Sequence, residues 1–156
     1  MIFMIYKAII QTPIGKLGIC TLGQLLTRLD FLTDDKPLIT PNEEILENIV
    51  NQLNQYFLHP GFKFNIPHQL LGTPFQNKVW QALSNLPIQK TVSYGTLAKK
   101  LKTGARAIGS ACRSNPLPIL IPCHRVIAQG SLGGYKGKEM AIKRWLLNHE
   151  FYTTAF

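Results

Sequence analysis

The stretch Ser93-Tyr94-Gly95-Thr96-Leu97-Ala98-Lys99-Lys100-Leu101-Lys102-Thr103-Gly104-Ala105-Arg106-Ala107-Ile108-Gly109-Ser110-Ala111-Cys112-Arg113-Ser114 decides the fold of the second half of the chain. Ser93 can cap a helix whose apolar stripe is Tyr94, Leu97, Ala98 and Leu101. Lys102-Thr103-Gly104 is a short turn containing glycine, and a further helix runs from about Ala105 to Ser114. Two short helices joined in this way read as a helix-turn-helix. On the second helix Ala105, Ile108 and Cys112 point one way, while Arg106, Ser110 and Arg113 point the other. Gly109, Ser110 and Ala111 are small and consecutive. A glycine weakens a helix by about 1 kcal/mol relative to alanine, so a close neighbour is expected there, either a nucleic-acid duplex or another helix.

Toward the C-terminus the next residues are Asn115-Pro116-Leu117-Pro118-Ile119-Leu120-Ile121-Pro122-Cys123-His124-Arg125-Val126. The prolines at 116, 118 and 122 impose an extended, non-helical path with few free dihedrals. A Cys-His pair ends it. A thiol reacts as thiolate, and an adjacent imidazole can take its proton directly or through water. Further on, Ile142, Trp145, Leu146 and His149 form a helical stripe that also carries Glu150. A carboxylate on an apolar face requires a partner. It can orient His124, pair with Arg125 or cap the chain end, and spacing alone does not choose.

Toward the N-terminus, Thr73, Pro74 and Gln76 form a capping box for a helix with Phe75, Val79 and Leu83 on its buried face and Trp80 beside them. Pro87 stops it. Before Gly72, residues 62–71 read as a connector. An earlier helix is expected from a Thr40-Pro41-Glu43 capping box, with the stripe Ile45/Leu46, Ile49, Leu53, Tyr56/Phe57. Strands are expected at Ile5–Ile10, Leu17–Thr21 and Leu25–Leu32, separated by Thr12-Pro13-Ile14-Gly15 and Leu22-Gly23-Gln24. The organisation is therefore α+β. Residues 1–71 make a small strand-rich domain with one helix, and residues 72–156 make a mostly helical domain.

Charge divides at the same boundary. Before residue 73, five Lys/Arg stand against six Asp/Glu, a balance of −1; from Thr73 onward twelve stand against two, a balance of +10. Such a field attracts a polyanion. The three cysteines, Cys20, Cys112 and Cys123, are too few and too odd in number for a disulfide framework and fit a reducing cytoplasm. Neither His59 nor His68 has a cysteine at metal-binding spacing, so no metal is expected. No signal peptide and no membrane-spanning run is visible.

These residues resemble the O6-methylguanine-DNA methyltransferases. The resemblance is dense from Thr73 to Glu150. It is carried by Gly72-Thr73-Pro74-Phe75-Gln76 with Val79-Trp80, by Ser93-Tyr94-Gly95, Ala105-Arg106-Ala107 and Ile121-to-Val126, and by Trp145-Leu146-Leu147 with His149-Glu150. It implies a ribonuclease H-like N-terminal domain and a winged helix-turn-helix-like C-terminal domain. It also implies direct reversal of DNA damage, in which an alkyl group passes irreversibly from O6-alkylguanine, and from O4-alkylthymine, to Cys123 in a single turnover. The expected partner is double-stranded DNA bound through its minor groove by a monomer, with no membrane and no cofactor.

By the same resemblance, Cys123 is the nucleophile, His124 a base acting through water, Glu150 its orienting group and Tyr94 a proton donor to guanine. Asn115 links the recognition helix to the active-site segment. Arg106 fills the space of the flipped base, with Thr73, Ala105, Gly109, Ser110 and Arg113 also on the DNA. Val126, Gly133, Gly134, Tyr135 and Lys136 belong to the substrate pocket. Lys136 departs from the small polar residue common in the family, although its backbone amide can still serve.

Three other readings fit less of the sequence. A non-catalytic alkyltransferase-like lesion binder usually lacks the acceptor cysteine, and Cys123 is present. A thiol protease draws its histidine from a distant segment, whereas His124 follows Cys123 directly. A transcription regulator leaves the Cys-His motif without a purpose.

The charge asymmetry makes a direct prediction. DNA affinity should fall steeply with salt and depend little on sequence, with a log–log slope of about −0.9 per phosphate contact over roughly three to six contacts for one such module. Fluorescence anisotropy at several salt concentrations measures it, and a flat response would remove the basic surface from the DNA face.

Overall fold

The computed structural model describes residues 5–134 and 139–152. The chain divides into two compact units, Met1–Leu70 and Leu71–Phe156.

In the first unit, β1 (Ala8–Thr12), β2 (Gly15–Leu22) and β3 (Leu25–Leu32) form an antiparallel meander in the order β1-β2-β3. The first hairpin turns at Gly15, whose φ of 105° is open to glycine. The Thr12 hydroxyl donates to the Gly15 carbonyl at 2.6 Å and accepts from the Ile14 amide at 3.2 Å. Alternation places Leu17 and Ile19 inside, and a bulge opposite Cys20/Thr21 resets the phase of β3 so that both Leu26 and Leu29 also face in. The helix α1 (Glu44–Leu58) contributes Ile45, Leu46, Ile49, Leu53 and Tyr56 to the same core, the stripe expected from its 3.6-residue period.

Two expectations for this unit are corrected. β1 runs from Ala8 to Thr12 rather than from Ile5 to Ile10. The Thr40-Pro41-Glu43 capping box does not form: Glu43 itself is the N-cap of α1 and makes no side-chain cap bond. Ile39 exchanges both backbone hydrogen bonds with Ile9, each 3.0 Å, so the chain reaches Thr40 extended. Residues 41–44 carry no apolar side chain that an earlier helical turn could bury.

In the second unit, α2 (Pro74–Ser84) starts with the expected capping box: Thr73 accepts from the Gln76 amide and Gln76 accepts from the Thr73 amide. After β4 (Val92–Ser93) come α3 (Tyr94–Lys100), capped by Ser93, and α4 (Ala105–Arg113). The turn between them is a Schellman motif with a lysine where glycine is usual. Lys102 takes φ 58°, Thr103 donates to the Ala98 carbonyl at 2.9 Å and Lys102 to Lys99 at 3.2 Å. Gly104 is instead the N-cap of α4. A 3-10 turn at Cys123–Arg125 leads into β5 (Val126–Ile127), which pairs in parallel with β4, and α5 (Met140–Tyr152) closes the unit. Among the described residues no helix is long and apolar enough to cross a membrane.

Val79, Trp80 and Leu83 are buried, but Phe75, on the same stripe in the first turn of α2, is 36% exposed. Ala105 is likewise exposed at the start of α4, and Ala111 joins Ile108 and Cys112 inside. On α5 the buried face is Lys143, Leu146, Leu147, His149 and Glu150, with Ile142 and Trp145 at its margin. The Trp80 indole donates to the Ala111 carbonyl at 2.8 Å and so locks α2 to α4.

The same indole explains Gly72. A Cβ there would lie 2.4 and 2.6 Å from Trp80 ring carbons and 2.9 Å from Asn77 Oδ1. Gly72→Ala should therefore destabilise the protein by about 1–3 kcal/mol through overpacking, read as a lower urea midpoint. An unchanged midpoint would show that Trp80 repacks freely.

Candidate active site

The segment from Asn115 to Pro122 is shaped by its own hydrogen bonds. Asn115 is wholly buried; its Nδ2 donates to the Ile121 carbonyl at 2.8 Å and its Oδ1 accepts from the Leu117 amide at 2.9 Å. Pro122, at φ −80° and ψ 65°, is the centre of an inverse γ-turn, closed by the Cys123 amide donating to the Ile121 carbonyl at 2.8 Å. The ring of Pro122 sets that φ in advance. The result delivers Cys123 at the start of the 3-10 turn, 2% exposed and on the wall of a pocket of about 540 Å³.

The β4–β5 pairing brings the start of α3 to the same place. Val92 aligns with Val126 and Ser93 with Ile127, so Tyr94 lies at the pocket next to the turn that carries Cys123. The remaining wall comes from α4, through Ala105, Arg106, Gly109, Cys112 and Arg113, and from Gly133 and Gly134. The Tyr94 hydroxyl donates to the Gly134 carbonyl at 3.2 Å. Burial, with smaller contributions from Cys112 and Cys123, pushes Tyr94 up to about 12, which keeps the phenol protonated at neutral pH. Gly133 has φ 72°, and a Cβ there would meet the Tyr94 ring at 2.7 Å. Gly109 has open space on its exposed side: its nearest neighbour to a Cβ is Tyr94 at 4.0 Å. No helix of this unit therefore requires its small size.

Behind Cys123 lies a buried charge network. His124 and Glu150 are both at 0% exposure. His124 Nε2 is 2.7 Å from Glu150 Oε2, while Arg125 donates through Nε to Oε1 at 2.8 Å and through NH2 to Oε2 at 3.0 Å. Arg125 NH1 also donates to the Leu86 carbonyl at 2.6 Å, beyond the end of α2. The two roles that spacing left open for Glu150, orienting His124 and pairing with Arg125, are thus filled together. Burial disfavours the Glu150 carboxylate, but the hydrogen bonds from His124 and Arg125 outweigh it and hold the group at about 2. Burial lowers His124 more than Glu150 raises it, so the ring is neutral. With Glu150 ionised, Nε2–H donates to it. That leaves Nδ1 as the basic nitrogen, which is buried and has no hydrogen-bond partner among the described residues.

Not every expected residue reaches the pocket. Thr73 is the cap of α2, and Ser110 lies on the exposed face of α4 outside the pocket lining. Val126 is buried, with its amide bonded to the Cys123 carbonyl and its own carbonyl accepting from Lys143. Tyr135 and Lys136 lie outside the described residues. Sequence reasoning missed two groups. Cys112 lines the pocket beside Cys123. Lys143 is fully buried, and its position on the stripe 143, 146, 147, 150 was the available signal.

Comparison with known proteins gives consistent matches. Residues 74–151 match the family described as 6-O-methylguanine DNA methyltransferase, DNA binding domain, and residues 5–70 its ribonuclease-like domain. The constitutive methylated-DNA–protein-cysteine methyltransferase of Bacillus subtilis is 38% identical over 94% of this chain and 96% of its own length. A crystal structure of Mycobacterium tuberculosis OGT in complex with DNA superposes with a TM-score of 0.78 at 40% identity, covering 91% of this chain and 90% of that one. An O6-methylguanine DNA methyltransferase from Methanococcus jannaschii gives 0.69 at 32% identity, covering 92% and 93%.

The network predicts an acid dependence. The folded value of Glu150, about 2, lies below its ordinary 4.5, so its contribution to stability is full above about 4.5 and is lost as the pH falls toward 2. Glu150→Gln should be less stable than the wild type at neutral pH, and the gap should close on acidification. Urea unfolding across that window checks it, and a pH-independent gap would contradict it.

Proposed function

Because the chain belongs to the 6-O-methylguanine DNA methyltransferase family and repairs DNA by alkyl transfer to a protein cysteine, we propose that Cys123 is the acceptor and that His124, Glu150, Tyr94 and Arg106 serve it. The observation that carries this reading is the coincidence of Cys123 on the pocket wall with the buried His124–Glu150 pair at 2.7 Å behind it.

His124 Nδ1 takes the Cys123 proton, through a water molecule, while Glu150 holds the ring and stabilises the imidazolium. The thiolate attacks the O6 alkyl carbon; the S–C bond forms, the C–O6 bond breaks and its electron pair stays on guanine. Tyr94, protonated at neutral pH, donates to guanine N3 as that charge develops. The product is a thioether, which no thiol exchange reverses, so each protein acts once. No cofactor enters.

The alkyl carbon is hidden in a stacked duplex, so the nucleotide must rotate out into the pocket. Arg106, exposed at the start of α4 and at the pocket mouth, is the side chain to fill the vacated stack. Gly109, Ser110, Ala105 and Arg113 accompany it in a minor groove about 6 Å wide. Asn115 acts by shaping the loop that presents Cys123. Thr73 contacts the backbone at the N-terminus of α2, while Val126, Gly133, Gly134, Tyr135 and Lys136 surround the guanine. Residues 72–156 carry DNA binding and chemistry, and residues 1–71, at −1, play a structural part. The protein acts as a cytoplasmic monomer on O6-alkylguanine and O4-alkylthymine in duplex DNA.

Intact mass after mixing with duplex O6-methylguanine should show one added methyl, on the Cys123 peptide, with one guanine repaired per protein. Cys123→Ser should bind the duplex without repairing it; sustained turnover, or repair by the serine variant, would sink the assignment. Arg106→Ala should lose more activity on duplex DNA than on free O6-benzylguanine, which needs no flipping, and equal losses would instead indicate a general pocket defect.

A further inference from the structure

The two thiols of the pocket are linked through a single asparagine. Cys112, near the C-terminal end of α4, offers its carbonyl to the Asn115 amide at 3.2 Å. The Asn115 side chain donates through Nδ2 to the Ile121 carbonyl at 2.8 Å, and that same carbonyl accepts the Cys123 amide at 2.8 Å. The loop from Asn115 to Ile121 is thus pinched shut at its neck, with one cysteine just before it and the other just after. Both cysteines are buried, and both line the same pocket. Cys20 belongs to the first unit, with its sulfur 3.5 Å from the Ile5 carbonyl, and is not in that lining. Alkyl transfer through Cys123, His124, Glu150, Tyr94 and Arg106 leaves Cys112 without a task.

We propose that Cys112 is the resolving thiol for Cys123: when a peroxide oxidises Cys123, the two cysteines form an intramolecular disulfide that closes the acceptor reversibly. The benefit of such a bridge rests on the acceptor role of Cys123.

A thiolate able to attack an alkyl carbon is also open to attack on a peroxide oxygen. With hydrogen peroxide, which a pocket of about 540 Å³ admits, the S–O bond forms on Cys123 and the O–O bond breaks. Its electron pair leaves on the second oxygen, which is protonated to water. The Cys112 sulfur then attacks the Cys123 sulfur. The S–S bond forms, the S–O bond breaks, and the Cys112 proton departs with the hydroxyl as a second water. Two thiols are oxidised to one disulfide, and one hydrogen peroxide is reduced to two waters.

The order of events follows from the surroundings. Burial, and then the adjoining Cys123, push the Cys112 thiol up to about 12, so it stays protonated at neutral pH. Oxidation therefore starts at Cys123, whose neighbour His124 can take its proton. Cys112 is the weaker nucleophile, but it is held beside the oxidised sulfur, and proximity offsets that weakness.

A protein consumed by one alkyl group has no reserve against oxidation. A sulfenic acid at Cys123 with no second thiol beside it proceeds to sulfinic and sulfonic acids, which thiols do not reverse. The bridge stops that ladder at its first step, and an external thiol reopens it. Transient disulfides of this kind occur in reducing compartments, where structural ones are rare.

The test treats the full chain with excess hydrogen peroxide, for the wild type and for Cys112→Ala. Cleavage after Arg113 places Cys112 and Cys123 on different peptides. The oxidised wild type should be lighter by two hydrogens and yield those two peptides linked, and dithiothreitol should separate them. Protein already methylated on Cys123 should form no bridge. Methyl uptake from duplex O6-methylguanine is then read after dithiothreitol, each protein against its own untreated sample. The wild type should recover about tenfold more of its uptake than the variant, whose Cys123 peptide should carry two or three added oxygens. Equal recovery overturns the proposal, as does a wild type whose Cys123 becomes a sulfinic acid while Cys112 stays a thiol. Circular dichroism reports folding, and if the variant does not fold, the wild-type peptide map alone decides. A wild type that takes a methyl on Cys123 but forms no bridge removes only the role of Cys112. One that forms the bridge but takes no methyl upholds the disulfide and removes the acceptor reading.

Discussion

A carboxylate without solvent contact is several kcal/mol out of place unless its oxygens are occupied by strong donors. Both oxygens of Glu150 are so occupied, by His124 and by the two-pronged guanidinium of Arg125. The arrangement holds α5 to the turn at Cys123–Arg125, and Arg125 extends the tie to the Leu86 carbonyl. Three segments remote in sequence are thereby joined through Arg125 and Glu150. The same hydrogen bonds decide the state of the imidazole: Nε2–H is committed to Glu150, so basicity resides on Nδ1. Support of the fold and the choice of imidazole tautomer are here one interaction, and removing Glu150 would leave the Arg125 guanidinium without its carboxylate.

The approach to Cys123 is the costly part of the backbone. Ile119 takes φ 75°, a conformation in which a β-branched residue is strained by about 1–3 kcal/mol. It is held there by burial and by the hydrogen bonds of Asn115 on either side. Three prolines limit what the unfolded segment can explore, which offsets part of that strain. A loop so constrained presents the Cys123 thiol to the pocket in one orientation.

Around this centre, groups of opposite character are kept apart by depth. Arg106 and Arg113 stay in solvent on the outer face of α4, where a phosphate backbone can reach them. Lys143 and Cys112 are buried, with Tyr94 half-buried beside them, where a charge is felt more strongly than in water. Exposed and buried cations thus sit at different depths of one small unit.

Local patterns were legible in the sequence because their causes are local. The strands, the stripe of α1, the Thr73 capping box, the Ser93 cap and the helix-turn-helix follow from period, caps and turn residues within a few positions. Cys123, His124 and the two candidate partners of Glu150 were visible for the same reason. The start of α1 was misplaced because a bridge to Ile9, distant in sequence, holds Ile39 extended. The left-handed Lys102 and Ile119 escaped notice because neither residue type announces that conformation.

Only the tertiary structure decided that Glu150 serves His124 and Arg125 at once, that Cys112 shares the pocket, and that Lys143 is buried under Tyr94. The first and third depend on α5 packing beside the turn at Cys123 and the start of α3, the second on α4 lining the same pocket. Side chains from roughly ten to fifty positions apart become neighbours only through such packing, which spacing along the chain does not encode.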